Sequence, residues 1–183
     1  KPAEETPLTA LRLGELVTEA GFPAGVFNVV TGLGPTAGAA LSAHPQVDKI
    51  TFTGSTEVGR LVAHAAAEDF TRVTLELGGK SPTIIFADSD VEAAAKSAPL
   101  AVFDNTGQDC CARSRILVER KVYDDVLAIM EPVVKGVRVG DPADRSTDIG
   151  PLISQTQLDR VRSFVPDGSP ILVQGDCPSG DGF

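Results

Sequence analysis

Cysteine is scarce in this chain, and what there is cannot hold a fold together. The three cysteines are an odd number, and two of them, Cys110 and Cys111, are direct neighbours, which suits no structural cross-link. This speaks against a secreted disulfide scaffold and for a reducing, cytoplasmic setting. Histidine is equally sparse: His44 precedes Pro45 and His64 lies in an alanine-rich run, neither with a Cys or His at metal-ligand spacing, so no metal is expected. Basic residues are outnumbered, with 16 Lys and Arg against 25 Asp and Glu and a net charge of -9. That balance disfavours a nucleic-acid partner and means that an anionic cofactor needs a local positive site. Also missing is any apolar run near the roughly 20 residues of a membrane span. The opening Lys1-Pro2-Ala3-Glu4-Glu5 has no apolar signal-peptide core, so no membrane partner is expected.

What remains is ordinary globular composition: 183 residues, 42% hydrophobic and 22% charged, enough for one sizeable domain or parts of two. The chain starts at Lys1 without an initiator methionine and stops at Gly180-Asp181-Gly182-Phe183, and it reads as a piece of something longer. Leucines at helical spacing predict a helix over 8–20, closed by Gly21 and Pro23. Val26–Thr31 reads as a short strand, Thr36–Ala43 as a helix, Val47–Thr53 as a strand, Glu57–Glu68 as a helix and Val73–Leu77 as a strand. Strands alternating with helices predict parallel βαβ units and a doubly wound sheet. Beyond Gly78-Gly79, the best candidate boundary, the sequence predicts a strand over 83–86, a helix opened by Asp88-Ser89-Asp90, and a strand over 114–119. Helices over 122–135 and 155–164 and a last strand over 171–173 follow.

Four features carry possible chemistry. Phe52-Thr-Gly-Ser-Thr-Glu-Val-Gly59 runs from a strand through Gly54 into a helix start, where free N–H groups can receive a phosphate; taken alone, an ordinary glycine turn with Ser55 as N-cap is the commoner reading. Glu76, at the end of an apolar strand, is expected to be desolvated as suits a general base, although alternation with Val73, Leu75 and Leu77 also allows a surface residue. Lys1 and Glu4 are held extended by Pro2 and Pro7 and can grip ribose hydroxyls, or simply be a solvated end. Cys110 and Cys111 follow a Gly107-Gln108 turn, and Arg113, Arg115 and a possible helix start would lower a thiol pKa. These arguments do not choose between the two thiols. Cys177 lies in a Pro/Gly-rich tail and reads as incidental.

Taken together, Lys1-Pro2-Ala3-Glu4, Gly21-Phe-Pro-Ala-Gly-Val26, Phe52–Gly59, Leu75-Glu-Leu-Gly-Gly-Lys-Ser-Pro82 and Gly107-Gln-Asp-Cys110 resemble, in order and spacing, the aldehyde dehydrogenase superfamily in its hydrolytic branch. The resemblance implies an α/β fold: a partial doubly wound parallel sheet of Rossmann-like type, then part of an α/β catalytic domain. Residues 1–78 would be the second half of a coenzyme domain and 79–183 the first part of the cysteine-bearing domain. It implies Cys110 as nucleophile, Glu76 as general base, Lys1 and Glu4 at the adenosine ribose, Gly54, Ser55 and Gly59 beside the pyrophosphate, and Gly34 near the adenine. The implied reaction oxidises an aldehyde to a carboxylic acid with NAD. A carboxylate at the ribose repels a 2′-phosphate, although Lys1 leaves NADP possible. The family also implies a homo-oligomer, dimer or tetramer.

The chain departs from the family pattern as well. The oxyanion asparagine and the nicotinamide-ribose glutamate fall outside it, and Asp109 and Arg113 stand where small or neutral residues are common. Their charges would tune Cys110 in opposite directions. An inactive fragment or cofactor-binding module, and a coenzyme A-acylating relative for which Glu76 would be unnecessary, stay open beside the dehydrogenase.

Overall fold

Two parallel strand pairs, each closed by a helical crossover, carry the architecture of the computed structural model, which describes residues 1–180 and 182. Of the closing Gly180–Phe183 segment, Asp181 and Phe183 lie outside the described residues. The chain divides into two compact units, Lys1–Leu77 and Gly78–Phe183.

In the first unit helix α1 (Leu8–Glu19) ends as its sequence predicts: Gly21 adopts φ +84° and its N–H donates to the Thr18 carbonyl at 3.0 Å. None of α1 is buried, and Leu8, Leu11, Leu13 and Leu16 all face solvent. A π-type turn, Gly34–Gly38, leads into the short α2 (Ala39–Ser42). Strand β1 (Lys49–Gly54), helix α3 (Thr56–Glu68) and strand β2 (Arg72–Leu77) form a βαβ unit, with β1 and β2 parallel and in register from Lys49 opposite Arg72 to Gly54 opposite Leu77. Gly59, Val62 and Ala66 form the buried face of α3. A Cβ at Gly59 would come 2.7 Å from Leu77 Cδ2, so glycine lets the helix lie close to the end of β2.

The second unit repeats the plan. Strand β3 (Pro82–Ile85) pairs in parallel with β4 (Arg115–Val118), and α4 (Val91–Ser97) and α5 (Leu100–Phe103) make the crossover. Asp90 caps α4 by accepting the Ala93 N–H at 3.0 Å, as the acidic cluster before the helix predicts. Helix α6 (Tyr123–Lys135) packs Val126 against Ile85 and Ala95, all three about fully buried, with Val91, Ile116, Val118, Ile129 and Met130 around them. Burial of a side chain such as Val126 stabilises by about 1.5–3 kcal/mol. Helix α7 (Gln155–Ser163) is capped by Ser154 and buries no residue.

Two expected strands are not formed. Val26–Thr31 and Ile171–Val173 have strand-like composition but no ladder partner among the described residues. Val26, Val30, Ile171 and Leu172 are correspondingly exposed. Strand propensity describes how a residue fits a sheet; it does not supply the neighbouring strand.

Candidate functional site

In the first unit the chain's opening residues fold back onto the π-type turn. Glu4 Oε1 accepts the backbone N–H of Gly34, and Glu4 Oε2 lies 3.9 Å from Lys1 Nζ. The Gly34 amide holds the Glu4 carboxyl below the usual carboxylate range, with a smaller contribution from Lys1. Lys1 also donates to the Pro2 carbonyl at 2.6 Å, and its side chain is 12% exposed. A Cβ at Gly34 would sit 3.2 Å from Glu4 Oε1, so a larger residue there would push the carboxylate aside. The structure therefore brings together three of the residues singled out from the sequence: Lys1, Glu4 and Gly34.

Gly54, Ser55 and Gly59 surround the start of α3. Ser55 Oγ accepts the Val58 N–H at 3.2 Å and the Ser55 carbonyl accepts the Gly59 N–H at 2.8 Å, so Ser55 is the N-cap. The other first-turn amides point out at the positive end of the helix dipole, where an anion is favoured. Glu76 stands opposite Thr53 in the β1–β2 register and is exposed. Its expected desolvation is absent from the unit: alternation places Leu75 and Leu77 in partly buried positions and turns Glu76 to solvent.

In the second unit the cysteines sit on a turn between α5 and β4. The chain reaches them through an unusual segment, with Asn105, Thr106 and Gly107 in succession at φ +48°, +60° and +71°. Threonine, being β-branched, is rarely found there. Hydrogen bonds hold the segment in place: Asn105 Nδ2 donates to the Gln108 carbonyl at 3.0 Å, and Thr106 Oγ1 donates to the Gly150 carbonyl at 3.2 Å. The Gly150 side is itself anchored, because Arg138 forks onto Asp148 at 3.1 and 3.2 Å and Val139 bridges Ile149. Asn105, Thr106, Gln108 and 148–153 line a cleft of about 650 Å³ whose lining stops short of Cys110.

Cys110 and Cys111 are both exposed, with Sγ atoms 3.8 Å apart. Asp109 Oδ1 accepts the Cys111 N–H at 3.0 Å, which folds the carboxylate over the turn. The Cys110 thiol pKa is raised, first by the Cys111 thiol and then by Asp109. This corrects the expectation drawn from the arginines. Arg115 Nε donates to the Lys80 carbonyl at 2.7 Å, Arg113 is not among the groups acting on the thiol, and the cysteines lie on a turn, not at a helix start. The adjacent carboxylate and second sulfur outweigh charges that are near in sequence alone. Cys177 is also exposed and stands apart from this cluster.

Comparison with known proteins covers almost the whole chain. The model of the aldehyde dehydrogenase family matches residues 1–177. Retinaldehyde dehydrogenase 3 from Homo sapiens is 53% identical over 97% of the chain, and phenylacetaldehyde dehydrogenase from Pseudomonas fluorescens is 47% identical over all of it. The chain spans 35% and 38% of these two relatives, about a third of their length. Among solved structures, PnpE in complex with nicotinamide adenine dinucleotide superposes with a TM-score of 0.87 at 48% identity, over 90% of this chain and 34% of that one. A variant of aldehyde dehydrogenase C from Pseudomonas syringae, complexed with NAD+ and octanal, superposes with a TM-score of 0.84 at 43% identity, over 87% of this chain and 33% of that one.

Proposed function

We propose, for a chain that belongs to the aldehyde dehydrogenase family, that it carries the nucleophile, the water-activating base and part of the coenzyme site of an enzyme oxidising aldehydes to carboxylic acids. The observation that carries this reading is the exposed Cys110 thiol, presented on a turn by the pinned Asn105–Gln108 segment. Cys111, equally exposed, is set aside by the Gly-Gln-x-Cys pattern, in which Cys110 is the nucleophile.

Each residue then has a chemical task. Cys110 thiolate adds to the aldehyde carbonyl carbon, forming a C–S bond and a tetrahedral oxyanion. The Cys110 N–H makes no hydrogen bond to protein among the described residues, so it is a donor that can meet that oxyanion. Loss of hydride from the same carbon leaves an acyl thioester on Cys110. Glu76, open to solvent, takes a proton from water; the water oxygen attacks the thioester, and the carboxylate leaves as the thiol is restored.

The coenzyme residues fit NAD. Glu4 keeps one oxygen on Gly34 and offers the other, near Lys1, to ribose hydroxyls, while the start of α3 offers amides and a dipole to the pyrophosphate. Bound NAD would supply the hydride acceptor. The carboxylate of Glu4 would repel a 2′-phosphate, which favours NAD over NADP. The division into coenzyme-binding and cysteine-bearing parts is proposed to follow the same line, near residues 78 and 79. A soluble homo-oligomer in the cytoplasm is the proposed setting. The test is NAD-dependent aldehyde oxidation by the full-length protein, with Cys110→Ala as the paired variant. Undiminished turnover in that variant would overturn the assignment.

A further inference from the structure

The spacing rules that predict no metal look for histidines and separated cysteines; they pass over what the turn at Asp109 does. Three donor side chains, Asp109, Cys110 and Cys111, place their ligand atoms within 4.8 Å of one another, and all three are exposed. We infer that these residues form a capture site for a thiophilic divalent cation of the zinc class, and that its occupation disables the Cys110 nucleophile.

The sulfur geometry decides between the two things a vicinal dithiol can do. Two thiolates bound at about 2.3 Å to one tetrahedral zinc stand roughly 3.8 Å apart. The Cys110 and Cys111 sulfurs are 3.8 Å apart as they stand. A disulfide needs them at about 2.0 Å with α-carbons at least roughly 4.4 Å apart. Neighbouring residues hold their α-carbons at about 3.8 Å, so closing that bond requires the turn to distort. Clasping an ion requires little movement; bonding to each other requires much.

The third donor is already placed. The Cys111 N–H fixes the Asp109 carboxylate over the turn, and among the described residues no Lys, Arg or His forms an ion pair with it. Two sulfurs and a carboxylate crowded together on an exposed turn repel one another as they ionise, and a divalent cation relieves that repulsion. The donor set selects the metal class: thiolates favour zinc-like ions and disfavour magnesium or calcium, and exposure leaves the fourth position to water. Binding releases two thiol protons to solvent and changes no oxidation state. With one lone pair donated to the metal and its negative charge neutralised, Cys110 sulfur is no longer the free thiolate that attacks a carbonyl, so the inhibitory consequence rests on the nucleophile assignment while the binding itself does not.

The test uses the full-length protein, reduced and metal-free, titrated with Co2+ as a spectroscopic probe and then with Zn2+. The expected result is a thiolate-to-cobalt charge-transfer absorption, displaced by zinc and unaffected by Mg2+. Cys111→Ser should abolish the band or weaken cobalt binding at least about tenfold, the lower end of what even an outer-shell partner contributes. Circular dichroism of that variant verifies its fold. In parallel, zinc should inhibit the enzyme reversibly by chelator, and Cys111→Ser should keep its turnover while requiring at least tenfold more zinc. An absent band, or one that survives in a folded Cys110→Ser/Cys111→Ser protein, overturns the site. A band with no inhibition leaves the metal site standing and overturns the nucleophile assignment instead.

Discussion

The Glu4 corner and the cysteine turn are both small polar constructions on surface loops, yet their electrostatics run in opposite directions. Around Glu4 the charged form is supported: an amide donates to the carboxylate, a lysine stands beside it, and the carboxyl pKa falls. Around Cys110 the charged form is opposed: a second thiol and a carboxylate face it, and its pKa rises. A carboxylate supported in this way is stabilised in its charged form, as the proposed ribose contact requires. A thiol that faces a carboxylate and a second thiol is pushed toward its neutral form until some further group or substrate compensates the charge, so activation is not built into the turn that carries it.

Substitutions can break this contrast, and the largest effect is expected at the thiols. Cys110→Ala should lower kcat by at least about 10⁴-fold, since removal of a covalent nucleophile leaves little residual catalysis, whereas Cys111→Ala should retain most turnover. Steady-state assays of both variants check this; equal losses would remove the distinction between the two sulfurs. Glu76→Gln should cost about 10²–10⁴-fold, the usual contribution of a general base, and should slow deacylation while sparing the first NADH burst. Rapid-mixing absorbance at the NADH band reads burst and steady state separately.

Smaller effects should sharpen the Glu4 side. Gly34→Ala places a methyl 3.2 Å from Glu4 Oε1, and the NAD KM should rise about tenfold, equivalent to roughly 1.4 kcal/mol, with kcat nearly unchanged. On the thiol side, iodoacetamide labelling of Cys110 followed by mass spectrometry should accelerate with pH and reach half its maximum above the ordinary thiol value. Cys111→Ala and Asp109→Asn should move that profile to lower pH, because each removes a group that raises the pKa. The smallest effect is on acid stability. Glu4 and Asp148 have folded pKa values below their unfolded ones, so their stabilisation is present above about pH 4 and is lost as pH falls through the folded values. Thermal melts from pH 6 to 2 should decline over that window, and Asp148→Asn should flatten part of the decline.

Local signals were legible in the sequence. Ser55 before Thr56, Asp90 before Val91 and Gly21 after Glu19 each announced a helix end, because caps are chemistry between residues a few positions apart. Strands were legible where a crossover returned the chain to a partner, as for β1 and β2, and illegible at Val26–Thr31, where composition promised a strand and no ladder followed. The meeting of Lys1, Glu4 and Gly34 came from the family pattern and not from any spacing rule, since contacts 30 positions apart leave no periodicity. The Cys110 environment was misjudged for a related reason: side-chain direction decides electrostatics, and Arg115 turns to the Lys80 carbonyl instead of the thiol.

The three successive positive φ angles before the cysteines make Asn105-Thr106-Gly107 a fragment of the mirror-image helix. In a chain of L-residues each such step costs roughly 1–2 kcal/mol; glycine escapes it and asparagine is commonly tolerated there, which leaves the β-branched Thr106 as the costly one. Of these three positions before Cys110, 106 is therefore the one where handedness itself is a design variable. A D-alanine introduced there by chemical ligation would be at ease in a backbone that L-threonine tolerates because its hydroxyl is tied to Gly150.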